Sequence, residues 1–321
     1  MTGTWVEPDI RDAVVDYIHY WQQRSSLPQI FFLKHIHLRH NKFNSWCQRY
    51  GKDNFHNGKI PRDFWIEDWE RDKIIEFYSK NSCEGYRRIA YMLLDRGDVC
   101  VSPATVHRVL SKANVMRRWN SKASKKGNGF EQPLSPHEHW HVDISYLNIA
   151  GTFYYFFGVI DGYSRYIVHW EIRESMTERD AAVILTRARE KFPDTNARII
   201  TDNGSQFVAK EFKEFVRLNG MTQVRTSPYY PQSNGKIERF NRTYKNSCIR
   251  PKTPLSKEDA EKETALFVDH YNNERLHSAI GYVTPAVKLA GKEKAVFAER
   301  DRKLAEARAQ RKINNQKKKS A

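Results

Sequence analysis

The chain has 321 residues, more than one hydrophobic core normally serves, so two to four domains are expected. Lysine and arginine outnumber aspartate and glutamate by 54 to 38, a formal net charge of +16, and this surplus points to a polyanionic partner such as DNA or RNA. Cys47, Cys83, Cys100 and Cys248 form no Cys-x-x-Cys pair, and no run of about 18 apolar residues occurs. Disulfide frameworks, structural zinc and membrane spans are therefore disfavoured, and a soluble, cytoplasmic protein is expected.

Residues 8–50 read as three short helices. Pro8 and Asp9 open the first, whose apolar stripe is Val14, Val15, Ile18 and Trp21. Ser26 and Pro28 open the second, and the third is predicted from about His37 to Tyr50, stopping at Gly51. Its polar face carries Arg39, Lys42 and Arg49, side chains that reach phosphates and base edges, so the unit is similar to a helix-turn-helix with a recognition helix. The arrangement recurs beyond Pro61. A helix over 64–79 is followed by one from Gly85 to Gly97 and by a third with Ser102 as N-cap and Pro103 at its first position. Val106, Val109, Leu110 and Ala113 make a buried face of that third helix, leaving Arg108 and Lys112 outward. Small helical bundles also mediate protein contacts, so tandem units speak for DNA more than either alone. Residues 119–135, with Lys125 and Lys126, read as a basic linker able to follow a phosphate backbone.

From His139 the pattern changes from helical to alternating. Three strands in a meander are predicted over 139–147, 152–161 and 165–172, followed by a helix over 177–191 and a strand over 198–202. A helix over 205–218, a strand over 222–226 and a loop rich in Pro, Gly and Ser then lead into a helix from Lys236 to about Ile249. Three antiparallel strands followed by alternating α and β elements give the order of a ribonuclease-H-like α/β core, a mixed five-stranded sheet with helices. The expected domains are 1–56 and 57–118 as all-α helix-turn-helix units, 119–135 as linker, 136–250 as the catalytic core, and 251–321 as a C-terminal helix and basic tail. The helical state of residues 292–321 is left open.

Three acidic residues stand out by their setting. Asp143 lies on the first strand and shares a face with His141 and Ser145. Asp202 ends the fourth strand before the turn Asn203-Gly204, and Glu238 sits one turn into the helix entered through Asn234-Gly235. In this element order the first and fourth strands are neighbours and the helix crosses their ends. Spacing alone decides nothing, because Asp95 and Glu131 are separated by the same 35 residues as Asp202 and Glu238. Three converging carboxylates repel one another and normally persist because divalent cations neutralise them.

The segments Trp140-His-Val-Asp143, Thr201-Asp202-Asn-Gly-Ser-Gln-Phe and Ser227 through Glu238-Arg-Phe-Asn closely resemble the DDE transposases of bacterial insertion sequences and the related retroviral integrases. Tyr271-Asn-Asn-Glu-Arg-Leu-His-Ser-Ala-Ile-Gly-Tyr-Val-Thr-Pro285 matches the same group beyond its core. The resemblance covers about residues 60–290. It implies DNA strand cleavage and joining at the element's inverted repeats, with Asp143, Asp202 and Glu238 as catalytic residues holding two Mg²⁺ ions, for which Mn²⁺ can substitute. It also implies duplex DNA as partner and a homodimer or higher assembly that pairs two ends. Arg242 and Lys245, at i+4 and i+7 from Glu238, would face terminal DNA phosphates, whereas Lys236 and Arg239 point elsewhere and read as solvated.

Bland readings apply to several other residues. His139 and His141 suit packing better than Mg²⁺, which prefers oxygen ligands. His35, His37 and His40 lack the cysteines of a zinc site, unlike the N-terminal domain of retroviral integrases. Asp161 and Arg165 suggest an ion pair in a hairpin turn. The alternatives to a transposase are a catalytically silent DNA-binding regulator of the same fold and a plain nuclease. Against these stand the complete Asp/Asp/Glu set and the tandem helical units.

Overall fold

A computed structural model describes residues 6–52, 61–116, 132–225 and 234–320, and Lys125 and Lys126 lie outside them. The chain forms two compact units, residues 1–67 with 306–321 and residues 68–305.

The first unit holds helices α1 (Pro8–Arg24), α2 (Gln29–His35) and α3 (His40–Cys47) around Val15, Ile18, Leu33, Leu38, Phe43 and Trp46. Helix α3 starts three residues later than the sequence pattern predicts. His37 adopts a left-handed φ of 52°, and Leu38 donates its N–H to the Leu33 carbonyl, so the chain reverses there before a helix can form. Trp21, expected in the apolar stripe, is instead 43% exposed. The buried Arg11 donates to Asp12 and to the Lys52 carbonyl, and Asp12 in turn accepts the Gly51 N–H. Within the same unit, the amide of Asn315 donates to the carbonyls of Arg62 and Trp65.

The second unit begins with α4 (Asp68–Lys80), α5 (Tyr86–Arg96) and α6 (Pro103–Lys112). Gly97 closes α5 with φ of 77°, a conformation costly to a side chain, and Ser102 caps α6 through the Thr105 N–H. The sheet follows as β1 (His139–Ile149), β2 (Thr152–Asp161), β3 (Ile167–Arg173), β4 (Arg198–Thr201) and β5 (Thr222–Arg225). Its order is β3-β2-β1-β4-β5, antiparallel through the meander and parallel from β1 to β4 and from β4 to β5. The ribonuclease-H-like arrangement expected from element order is therefore present.

Both faces of the sheet are covered. On one, Trp140, Val142, Phe157 and Val159 pack against α7 (Glu178–Glu190), α8 (Ser205–Val208) and α9 (Lys210–Leu218) through Ile184, Leu185, Phe207 and Phe212. Thr177 and Asp180 form a reciprocal capping box at the start of α7. On the other face, Leu147, Ile149, Phe156 and Ile160 pack against α10 (Gly235–Tyr244) and α12 (Lys257–Asn273). Between these two helices the chain passes through a π-helical turn, Lys245–Ile249, and the short α11 (Arg250–Lys252). Helices α13 (Pro285–Leu289) and α14 (Glu293–Ser320) complete the described chain.

One expected contact is replaced and one unexpected contact appears. Asp161 does not form an ion pair with Arg165; its carboxylate accepts from the Ser164 N–H and hydroxyl and from the His137 N–H, while Arg165 donates only its backbone N–H to the Asp161 carbonyl. Short backbone and hydroxyl donors reach the buried carboxylate first. Asp95, set aside as half of a chance spacing, holds Arg300 of α14 through two parallel bonds of 2.7 Å. The Arg300 guanidinium also donates to the Tyr282 carbonyl and lies 4.6 Å from the Tyr91 ring. This joins α5 to the segment beyond the core.

Candidate active site

Strand β1 presents alternate side chains to the α10 face, so His141, Asp143 and Ser145 share it with the core residues Leu147 and Ile149. The parallel register pairs His139 with Arg198 and His141 with Ile200; carried two residues further, it sets Asp143 level with Asp202. Neighbouring strands lie about 4.8 Å apart, which puts both carboxylates at one end of the sheet. Asp202 turns its Oδ1 onto the Gly204 N–H at 2.9 Å, closing a local turn just past β4.

Helix α10 is clipped to β1 by two asparagines. Asn234 donates to the Val142 carbonyl at 3.3 Å, and Asn241 donates to Asp143 Oδ2 at 2.7 Å. Opposite Asp143 on β2 is Gly158, where a Cβ would meet Phe156 at 3.0 Å and Ile237 at 3.6 Å. The tighter of these contacts is with the Phe156 ring, while Ile237 packs at ordinary van der Waals distance and seats the first turn of α10 against the sheet. Glu238 is the next residue, exposed at the positive end of that helix.

Burial, then the charges of Asp202 and Glu238, push the Asp143 carboxyl up to about 7, against the pull of the Ile144 N–H and the Asn241 amide. Asp143 therefore feels both of the other acids. Beside them is a recess of about 530 Å³ lined by Asp143, Ser145, Glu238, Asn241, Arg242, Lys245, Asn246 and Arg250. Asp202 is not part of that lining and acts on it from the neighbouring strand. Burial pulls the Lys245 ammonium below its ordinary value while Asp143 acts the other way. Arg250 donates to Asn246 Oδ1 at 2.6 Å.

Among the described residues, no three His, Cys, Asp or Glu side chains are close enough as placed to hold one ion. The donor chemistry nevertheless fits a hard divalent cation: three carboxylates, no sulfur or imidazole in the recess, and a mutual repulsion that a cation would relieve.

Two integrase core domain profiles match the chain, over residues 133–231 and 219–285. A protein named "Putative transposase for insertion sequence element IS986/IS6110" from Mycobacterium tuberculosis (strain CDC 1551 / Oshkosh) is 30% identical over 241 residues, spanning 69% of this chain and 85% of that protein. The chain belongs to the insertion-sequence transposase family with an integrase core. A transposase for insertion sequence element IS629 of Shigella sonnei is 27% identical over 245 residues, spanning 72% of this chain and 81% of that protein. Among solved structures, the HTLV-2 integrase catalytic core domain in complex with magnesium aligns at 20% identity and a TM-score of 0.37, covering 49% of this chain and 98% of that one. A simian T-cell lymphotropic virus intasome in complex with PP2A regulatory subunit B56 gamma aligns at 18% identity and a TM-score of 0.44, covering 67% and 74%.

In this transposase-family chain, the profile segments enclose Asp143, Asp202 and Glu238. Arg242 and Lys245 join Glu238 in the recess, as their spacing suggests. Lys236 does not behave as a solvated residue: its Nζ donates to the Gly162 carbonyl at 2.9 Å, and burial followed by the Arg165 charge pulls it down to about 7. His141 is buried and held neutral, pulled down to about 3 by burial and then by Lys236 and Arg165. In the first unit Arg39 is exposed, Lys42 lies 5.5 Å from the Trp46 ring, and Arg49 folds back onto Ser45. Arg108 and Lys112 are exposed on α6, with Arg108 donating to the Thr105 hydroxyl. Sequence reasoning missed Asn241, Asn246 and Arg250. Asn241 was detectable as the residue one turn on from Glu238, whereas Arg250 reaches the recess only because of the π-helical turn.

No helix among the described residues is long and apolar enough to cross a membrane.

Proposed function

We propose that the chain is a DNA transposase that binds the terminal inverted repeats of its element, exposes 3′-hydroxyl ends, and joins them to target DNA in Mg²⁺. The observation that carries this reading is the electrostatic coupling of Asp143 to Asp202 and Glu238 beside a recess lined with cations, in a chain of this family.

Two divalent ions, when bound, would make water or a 3′-hydroxyl nucleophilic at neutral pH and take up charge on the departing oxygen of an in-line displacement at phosphorus. Asp143 would be their shared ligand, with Asp202 and Glu238 each serving one. Asn241 fixes the orientation of Asp143 through its 2.7 Å bond to Oδ2. Arg242, Lys245 and Arg250 line the same space and can take the phosphates flanking the scissile bond, holding the phosphodiester in line with the attacking oxygen. The exposed basic side chains Arg39, Arg108 and Lys112 belong to helical units that would hold the element ends, and Lys125 and Lys126 to a linker along the backbone. Two ends must be held together for joining, so a dimer or larger assembly is part of the proposal.

The test uses labelled duplexes from the ends of the element incubated with the full chain and Mg²⁺. End cleavage and strand-transfer products are expected from the parent protein and none from Asp202→Asn. Retention of cleavage by that variant would refute the ligand assignment.

A further inference from the structure

Helix α10 has a second lined face. On the side away from Glu238, Gly235, Lys236 and Arg239 face a cavity of about 680 Å³ that shares no lining residue with the recess described above. Arg88 of α5, Arg165 of the β2–β3 turn and Arg275 beyond α12 complete its basic wall. Five basic side chains thus surround one space, and the first turn of a ten-residue helix adds its positive end.

The local carboxylates do not balance this charge. Glu84 pairs with Arg88, and with Arg275 at 3.7 Å, and so serves two of the five. Asp161 acts on Arg165 and Lys236 at longer range, but its oxygens are taken by His137 and Ser164. Lys236 donates to the Gly162 carbonyl, with Glu138 acting on it at longer range, and the buried Arg165 Nε has no hydrogen-bond partner among the described residues. Arg239 is exposed and forms no ion pair among them. Burial and mutual repulsion pull Arg88 down to about 10 and lower Arg165, so the cluster carries a cost that a bound anion would offset.

We propose that this cavity binds a backbone phosphate of a DNA strand, giving α10 a second DNA contact on the face opposite the carboxylates. The inference rests on the proposed DNA substrate but not on cleavage. A volume of about 680 Å³ exceeds what a lone anion needs and accommodates a sugar–phosphate unit. Arginine forks suit phosphate oxygens.

The test measures binding of a 30-base-pair duplex of arbitrary sequence by fluorescence anisotropy over a KCl series in EDTA, where no cleavage occurs. In the full chain, Arg239→Gln is expected to flatten the slope of log affinity against log salt by about 0.9, the share of one phosphate, and Arg239→Gln with Arg275→Gln to weaken binding further without a second step of that size. Arg179→Gln, which removes an exposed charge on α7, is the control and should leave the slope unchanged. An unchanged slope in Arg239→Gln, or an equal loss in Arg179→Gln, overturns the proposal. Should the double variant lack a cooperative thermal transition, the exposed Arg239→Gln alone decides. A parallel arm records melting temperature with millimolar inorganic phosphate. If phosphate stabilises the parent but not the variants while duplex slopes agree, the cavity takes free anions and the DNA assignment fails. Loss of end cleavage in Mg²⁺ with the slope changes intact would instead strike the catalytic reading alone.

Discussion

Asn241 donates its side-chain amide to Asp143 Oδ2 at 2.7 Å, bridging 98 residues of sequence between a helix and the strand it covers. Orientation of a candidate ligand thus depends on a residue that is not itself acidic. Asn241→Ala is expected to lower Mg²⁺-dependent end cleavage by about 10- to 100-fold and to raise the Mg²⁺ concentration for half-maximal rate. An unchanged metal titration would assign Asn241 to packing only.

Asp143 sets a pH dependence in the metal-free protein. Its folded pKa is raised from 3.8 to about 7, so the folded chain keeps a proton that the unfolded chain has released. Stability from this group is therefore full below about pH 4 and is lost as pH rises to about 7. Asp143→Asn removes that loss. In EDTA its melting temperature should rise relative to the parent across this window and level off above it, and Mg²⁺ should narrow the gap by stabilising the parent alone. A difference independent of pH would contradict the shared-charge geometry.

Arg242 and Lys245 line the recess with Glu238. Replacing either with alanine is expected to flatten the salt dependence of binding to duplexes from the element ends by about 0.9 in log–log slope, with a further step in the pair. Melting temperature should hardly move for Arg242, which serves as the check that the effect lies in binding.

Arg300 is 4% exposed and its fork meets Asp95 bidentately, with Asp95 itself partly open to solvent. Arg300→Ala is expected to cost about 1–3 kcal/mol by leaving the Tyr282 carbonyl and the Asp95 carboxylate without their donor. Urea denaturation reads this directly, and Arg300→Lys should recover only part of it because one ammonium cannot replace the fork.

Sheet and acids were legible in the sequence because they follow short-range rules. The change from helical to alternating pattern at His139 marked β1, and Asn203-Gly204 marked the turn that ends at the sheet edge with Asp202. The helix expected over 205–218 was read as continuous, yet Ala209 leaves helical geometry with φ −54° and ψ 144°. Phe207 and Phe212 are both buried in the same core, five residues apart, and an unbroken α-helix would turn them roughly 140° from each other. Burial of both rings breaks the helix, and no local residue announces that. The C-terminal helix does not show in the sequence pattern for a related reason. Its buried anchors are Arg300, Arg311 and Asn315, which a hydrophobic pattern does not reveal. The ion pair expected for Asp161 and Arg165 failed because proximity in sequence says nothing of the backbone donors that compete for a buried carboxylate.

The turn from Lys245 to Ile249 has a consequence for insertions and deletions. Arg250 donates its N–H to the Lys245 carbonyl, five residues back, so this stretch carries one residue more than an α-helical turn would. That extra residue lets Tyr244 and Ile249 enter one core while Lys245 and Arg250 meet in one recess. The same residues wound as an unbroken α-helix would set Arg250 roughly 140° from Lys245 and carry it out of the recess. A chain one residue shorter here would restore the four-residue α-helical step and keep the two on one face. Spacing at this point is thus a coordinate of the site in its own right, one that comparing residue identities alone would pass over.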